Sequence, residues 1–127
     1  MKENKITIRI NRPVAEVFEF TINPNNTHLW IDVIVEEKAD LPIGLGTKYV
    51  NKDKTGNVSE YAVAKFEKNK VFELKSLNSD YHVRYSYKSV SPNEAELEYY
   101  EWVDYSKLLH PFGMKTLEKL KTIMEKK

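Results

Sequence analysis

The chain has 127 residues, 41% of them hydrophobic and 31% charged, and 20 Lys and Arg against 19 Asp and Glu leave a formal net charge of +1. That length suits one domain, and it buries enough surface to hold a core without disulfides or metal. The near-zero charge supplies no field to select nucleic acid or an anionic membrane, and the absence of cysteine removes thiol nucleophiles, disulfide frameworks and zinc–cysteine sites.

The first ten residues, MKENKITIRI, start charged and alternate at once, with no apolar stretch of the kind a signal peptide carries. No apolar run approaches the roughly 20 residues of a spanning helix. The expectation is a soluble cytoplasmic protein, monomer or homodimer, with no stable membrane insertion. No repeat, low-complexity tract or linker divides the chain, so residues 1–127 read as one domain. The eight tyrosines join large apolar bodies to polar tips, which suits a half-wet cavity wall or an exposed strand face.

Ile6, Ile8 and Ile10 alternate with Thr7, Arg9 and Asn11, the period of a half-buried strand. Pro13 stops it and opens a short amphipathic helix over residues 13–22, with Val14, Val17, Phe18 and Ile22 on one stripe. Residues 23–27 break that helix and lead into a further turn ending near Trp30. Strands are then expected over residues 32–37, 47–52, 58–67, 71–77, 81–90 and 95–105. Turns every eight to twelve residues or so mark an antiparallel meander, since parallel pairing needs long crossovers. The last segment changes period. Leu109, Phe112, Leu117, Leu120, Ile123 and Met124 recur at three and four, giving an amphipathic helix of roughly 15–20 residues. A seven-stranded sheet has one face to cover, and this helix is the element long enough to cover it.

This order of elements, together with Pro13-Val14-Ala15-Glu16-Val17-Phe18 running to Trp30, resembles the START-like superfamily, also called the SRPBCC or polyketide cyclase/dehydrase and lipid-transport group. Gly44-Leu45-Gly46-Thr47-Lys48-Tyr49 is similar to the family's opening of the third strand, and Leu117-Glu118-Lys119-Leu120-Lys121 to its C-terminal helix. The resemblance implies an α+β helix-grip fold: a curved seven-stranded antiparallel sheet around a long C-terminal helix, with two short helices between strands 1 and 2. It also implies a small-molecule cavity between sheet and helix. Family members include lipid and hormone binders, cyclases and chaperone activators, so the likeness does not choose an activity.

Parity selects the cavity-facing residues. On the last strand Ala95, Leu97, Tyr99, Glu101 and Val103 share the apolar face, and Glu101 interrupts it with a carboxylate. An inward carboxylate must be paired, protonated or in a wet cavity. It then orients a ligand or works as a general acid or base with Tyr99; the alternative is a rim position bridged to a lysine or to Arg84. Tyr81, Val83, Tyr85 and Tyr87 share the inner face of the neighbouring strand, joined by Phe72, Leu74 and Ser76, by Tyr61 and Val63, and by Tyr49 with Asn51. The candidate ligand-binding set is Tyr49, Tyr61, Val63, Phe72, Leu74, Val83, Tyr85, Tyr87, Leu97, Tyr99, Glu101, Phe112, Leu117 and Leu120. His28, His82 and His110 have no mutual metal-ligand spacing, so neither metal nor cofactor is expected. Trp102 falls on the outer face with Tyr100, where a stripe could serve a dimer. Three functions stay open: a module binding a small apolar or amphipathic molecule, a cyclase/dehydratase-type enzyme using Glu101 and Tyr99, and a protein-interaction domain with a filled core.

Overall fold

The computed structural model describes residues 2–108 and 111–126. Seven strands, β1 (Lys2–Ile10), β2 (Ile34–Ala39), β3 (Lys48–Asp53), β4 (Val58–Glu67), β5 (Val71–Ser76), β6 (Tyr81–Ser91) and β7 (Glu94–Val103), form one antiparallel sheet. Helices α1 (Val14–Ile22) and α2 (Thr27–Trp30) lie between β1 and β2, and α3 (Met114–Glu125) follows β7. The order across the sheet is β1-β7-β6-β5-β4-β3-β2, so β2 to β7 run as a meander and β1 returns beside β7. The sheet curls around α3 in the helix-grip arrangement expected from the order of elements.

Local chemistry sets the element ends. The Pro13 carbonyl accepts hydrogen bonds from Glu16 N–H at 3.0 Å and Val17 N–H at 3.2 Å, starting α1, which buries Val17, Phe18, Phe20 and Thr21. β2 begins at Ile34 rather than residue 32, because the Ile34 N–H turns back to the Ile31 carbonyl at 3.0 Å. β7 ends at Val103 rather than residue 105, because the Tyr105 and Ser106 N–H groups bond the Asp80 carboxylate at 2.8 and 2.9 Å. Helix α3 has 12 residues, shorter than expected, with Gly113 at its N-cap. The Phe112 N–H is held by Glu101 at 2.7 Å and its carbonyl by Asn4 at 2.9 Å, which keeps this residue out of the helix. Leu109 and His110, expected near the helix start, lie outside the described residues.

Three one-residue bulges change which side chains face inward. On β2, Ile34 pairs with Asp53 while Glu36 pairs with Lys52, so Val35 is extra and Glu37 swings to the concave face opposite Asn51. On β4, Val63 pairs with Leu74 and Lys65 with Glu73, so Ala64 is extra and Phe66, opposite Phe72, joins the core in place of Lys65. On β6, Ser89 pairs with Ala95 and Ser91 with Glu94, leaving Val90 out.

Under α3, Leu117, Leu120 and Met124 are buried and pack toward β1 and α2. Edge-to-face rings knit the rest: Phe18 meets Tyr87 at 5.0 Å and Phe66 at 5.6 Å, and Tyr49, Phe72, Tyr85 and Tyr99 follow one another across the sheet at 5.2–5.8 Å. Leu120→Ala would leave a void beneath the helix, so it should lower unfolding free energy by about 2–5 kcal/mol in urea titration. Exposed Thr122→Ala on the same helix should change it by less than about 0.5 kcal/mol.

Candidate functional site

The concave face, α2 and the segment leading from β7 to Phe112 surround a cleft of about 510 Å³, which no residue of α3 lines. That size falls within the roughly 300–1,000 Å³ of small-molecule sites. Its apolar wall comes from Ile31, Ile34, Phe72, Leu74, Val83 and Phe112, with the phenols of Tyr49, Tyr61, Tyr81, Tyr85 and Tyr99 distributed over it. Its lining is exposed at Asn78 and Ser79 between β5 and β6 and at Ser106 and Lys107 after β7, which form its mouth, and also at Val33.

Glu101, 1% exposed, anchors one end. One carboxylate oxygen accepts from Asn4 Nδ2 at 2.8 Å and from the Phe112 N–H at 2.7 Å. The other accepts from the Tyr81 hydroxyl at 2.7 Å, which lies 3.1 Å from the Tyr99 hydroxyl. Neither the lysine nor the Arg84 expected as a partner takes part. Arg84 is on the convex face, bonded to Glu73 at 2.8 Å. Glu101 is therefore held by neutral donors from β1, β6 and the segment before α3.

Glu37 anchors the other end. It accepts from Thr27 Oγ1 at 2.5 Å and from Asn51 Nδ2 at 3.3 Å. Burial pushes its carboxyl above the ordinary range, against the two hydrogen bonds. Asp80 clamps the mouth, accepting from the Tyr105 and Ser106 N–H groups and from Ser106 Oγ at 2.6 Å. The Ser106 hydroxyl first, and the Tyr105 N–H next, hold Asp80 well below the carboxylate range.

The phenols stay neutral donors. Burial is the main cause that raises Tyr81, Tyr85 and Tyr99 well above the usual phenol range, and it raises Tyr49, Tyr61 and Tyr87 too. The hydroxyls of Tyr49 and Tyr87 are occupied: the first donates to the Ile22 carbonyl at 2.6 Å, the second pairs with Thr21 Oγ1 at 2.6 Å. Tyr85 differs. It lines the cleft, and its hydroxyl has no hydrogen-bond partner among the described residues and is open to the cleft rather than sealed from it.

Of the fourteen residues selected by strand parity and helical period, Tyr49, Tyr61, Phe72, Leu74, Val83, Tyr85, Tyr99, Glu101 and Phe112 stand on the cleft wall. Val63, Tyr87, Leu97, Leu117 and Leu120 are buried in the surrounding core instead. Alternation missed Glu37, because the bulge at Val35 reverses its parity. Thr27 and Asp80 also escaped, reaching the wall from a helix and a turn that carry no period-2 signal. Trp30, 1% exposed, docks the short helices on Tyr85 and Phe112 at ring distances of 6.2 and 6.3 Å.

On the convex face, Trp102 is stacked on His82 at 4.7 Å and on Tyr100 at 5.0 Å, with the Arg84 guanidinium 5.3 Å above it. His82 also contacts Asp104 at 3.0 Å, and His28 is exposed on α2, while His110 lies outside the described residues. Among the described residues no three His, Asp or Glu side chains converge so as to hold a metal ion, and no helix is long and apolar enough to cross a membrane.

No protein-family model and no curated protein matches the chain. Solved structures do. A START superfamily protein from Mycobacterium smegmatis superposes with a TM-score of 0.70 at 16% identity, over 98% of this chain and 94% of that one. Protein MLL2253 from Mesorhizobium loti gives 0.78 at 14% identity, over 98% of both chains. The Aha1 dimer from Colwellia psychrerythraea gives 0.69 at 11% identity, over 99% of this chain and 94% of that one. These likenesses establish the START-like fold over nearly the whole chain.

Glu101→Ala would strand donors on three parts of the chain and should cost about 2–4 kcal/mol of stability, Glu101→Gln less. A second outcome follows from pH. Asp80 is depressed in the fold, so its contribution is present above the unfolded carboxylate value of about 4 and is lost as pH falls through the folded value. Asp80→Asn should therefore flatten the loss of thermal stability between about pH 4 and pH 2. Glu37 has the opposite sign. Its raised carboxyl favours the fold below the unfolded value and loses that advantage as pH rises through the folded one. Glu37→Gln should thus melt no lower than the parent at pH 7.

Proposed function

We propose that this chain is a binding module that encloses a small apolar or amphipathic molecule, such as a lipid, a sterol-like compound or an aromatic metabolite, in the cleft on the concave face of the sheet. The observation that carries this reading is the Tyr85 hydroxyl. A phenol with no protein partner that opens on an apolar cleft is a hydrogen-bonding group the fold has not used, of the kind that orients small molecules in such pockets. Tyr85 has none among the described residues and borders a cleft of about 510 Å³. A ligand oxygen or nitrogen supplies the missing acceptor, while Phe72, Leu74, Val83 and Phe112 take its apolar body.

The cyclase/dehydratase reading needs a carboxyl free to exchange a proton with substrate. Glu101 already accepts three hydrogen bonds, and Tyr99 and Tyr81 are held neutral by burial. Such a group is built to hold an element in position rather than to turn over. The filled-core reading needs an inner face without such a void.

Native mass spectrometry of protein purified from its own host should show a bound species of a few hundred daltons that Leu74→Trp removes. Leu74→Trp should remain folded and lose the thermal shift that the extracted species gives the parent. An empty parent that shifts with no member of a lipid and aromatic panel would contradict the reading.

A further inference from the structure

The charged groups on the cleft wall are Glu37, Asp80, Glu101 and Lys107. They are unequally satisfied. Asp80 takes three donors from Tyr105 and Ser106 and serves the mouth loops. Glu101 takes three donors from Asn4, Tyr81 and Phe112 and serves the seating of α3. Lys107 is exposed at the mouth.

Glu37 is different. It has one short contact from Thr27 and one long one from Asn51, both neutral, and acceptor capacity to spare. No cation among the described residues offsets its charge. It reaches the wall only through the bulge at Val35, on an edge strand whose outward face would have solvated it freely. Tyr49, Tyr61 and Tyr85 line the same cleft, and Asn51, its partner on β3, is two residues from Tyr49. A half-buried carboxylate attracts a cation through the ion pair, and tyrosine rings on the same wall are the apolar surface that best tolerates one. The same surroundings repel an anionic headgroup, and a neutral hydroxyl gains only a hydrogen bond.

Resting on the binding reading above, we infer that the molecule held in the cleft is a cationic amphiphile, whose protonated amine seats against Glu37 while its apolar body lies along Phe72, Leu74 and Val83. Glu37 is then the residue that sets specificity by charge, and the raw apolar affinity belongs to the wall.

The test uses three probes with the same chain, decylamine, decanol and decanoate, each titrated calorimetrically below its aggregation concentration. Decylamine should bind on the order of tenfold more tightly than decanol, with decanoate weakest. Glu37→Gln should bring decylamine to within about threefold of decanol and leave decanol unchanged. Glu118→Gln, on the exposed side of α3, should keep the full preference and excludes a general surface effect. Decanoate binding as tightly as decylamine in the parent would overturn the inference without any variant, and so would an amine preference that survives Glu37→Gln. Decanol binding with no gain for the amine would overturn it while leaving the cleft a ligand site. Binding by none of the three would overturn the cleft reading as well.

Discussion

One buried carboxylate fixes how the chain enters α3. Glu101 gathers Asn4 from β1, Tyr81 from β6 and the Phe112 N–H from the segment leading into the helix. These donors are far apart in sequence, so the contact forms only once the sheet is complete and the helix is in place. A buried carboxylate is costly unless its lone pairs are filled. Here three neutral donors fill them, and the cost becomes a constraint on geometry. Phe112 then stacks on Tyr99 at 4.1 Å, and Trp30 packs on Phe112 from the other side. That anchor thus joins β1, β6 and β7 to the segment on which Trp30 of α2 packs.

The rest of the cleft follows from curl and bulges. A flat seven-stranded sheet has no concave side in which to enclose a volume. The extra residues Val35 and Ala64 bend the β2–β4 side and re-aim the chain beyond them. One bulge brings Phe66 into the core, where its ring supports Phe18 and Phe72. The other brings Glu37 inward, where solvent no longer favours its charge. The two ends of the cleft thus carry carboxylates of different standing: Glu101 is fully used by the fold, and Glu37 is not. Binding groups that the fold leaves unsatisfied are where a protein gives up stability for recognition.

Much of this was legible in the sequence. Alternation identified the inner rows of β5, β6 and β7, and the carboxylate of Glu101 stood out because it broke an apolar row. The change to helical period located α3, though the period alone could not show that Phe112 is held by Glu101 and Asn4 outside the helix. What stayed hidden has a common cause. A bulge leaves no mark in a run such as Ile34-Val35-Glu36-Glu37, so strict parity assigned Glu37 no inward role. Loop residues carry no period at all, so the Asp80 clamp and Thr27 became visible only when distant segments met. Tyr81 sat on the correct row, but its hydroxyl acquires meaning only beside Glu101.

The central claim is that Tyr85 borders an occupied space rather than an accidental void. A crystal structure of the protein purified from its own host, at a resolution that separates water from continuous ligand density, tests it most directly. The account predicts continuous density along Phe72 and Leu74, with a polar atom in hydrogen-bond reach of the Tyr85 hydroxyl. A cleft collapsed by side-chain movement, or one holding only scattered water with Tyr85 bonded to a protein group, would contradict it.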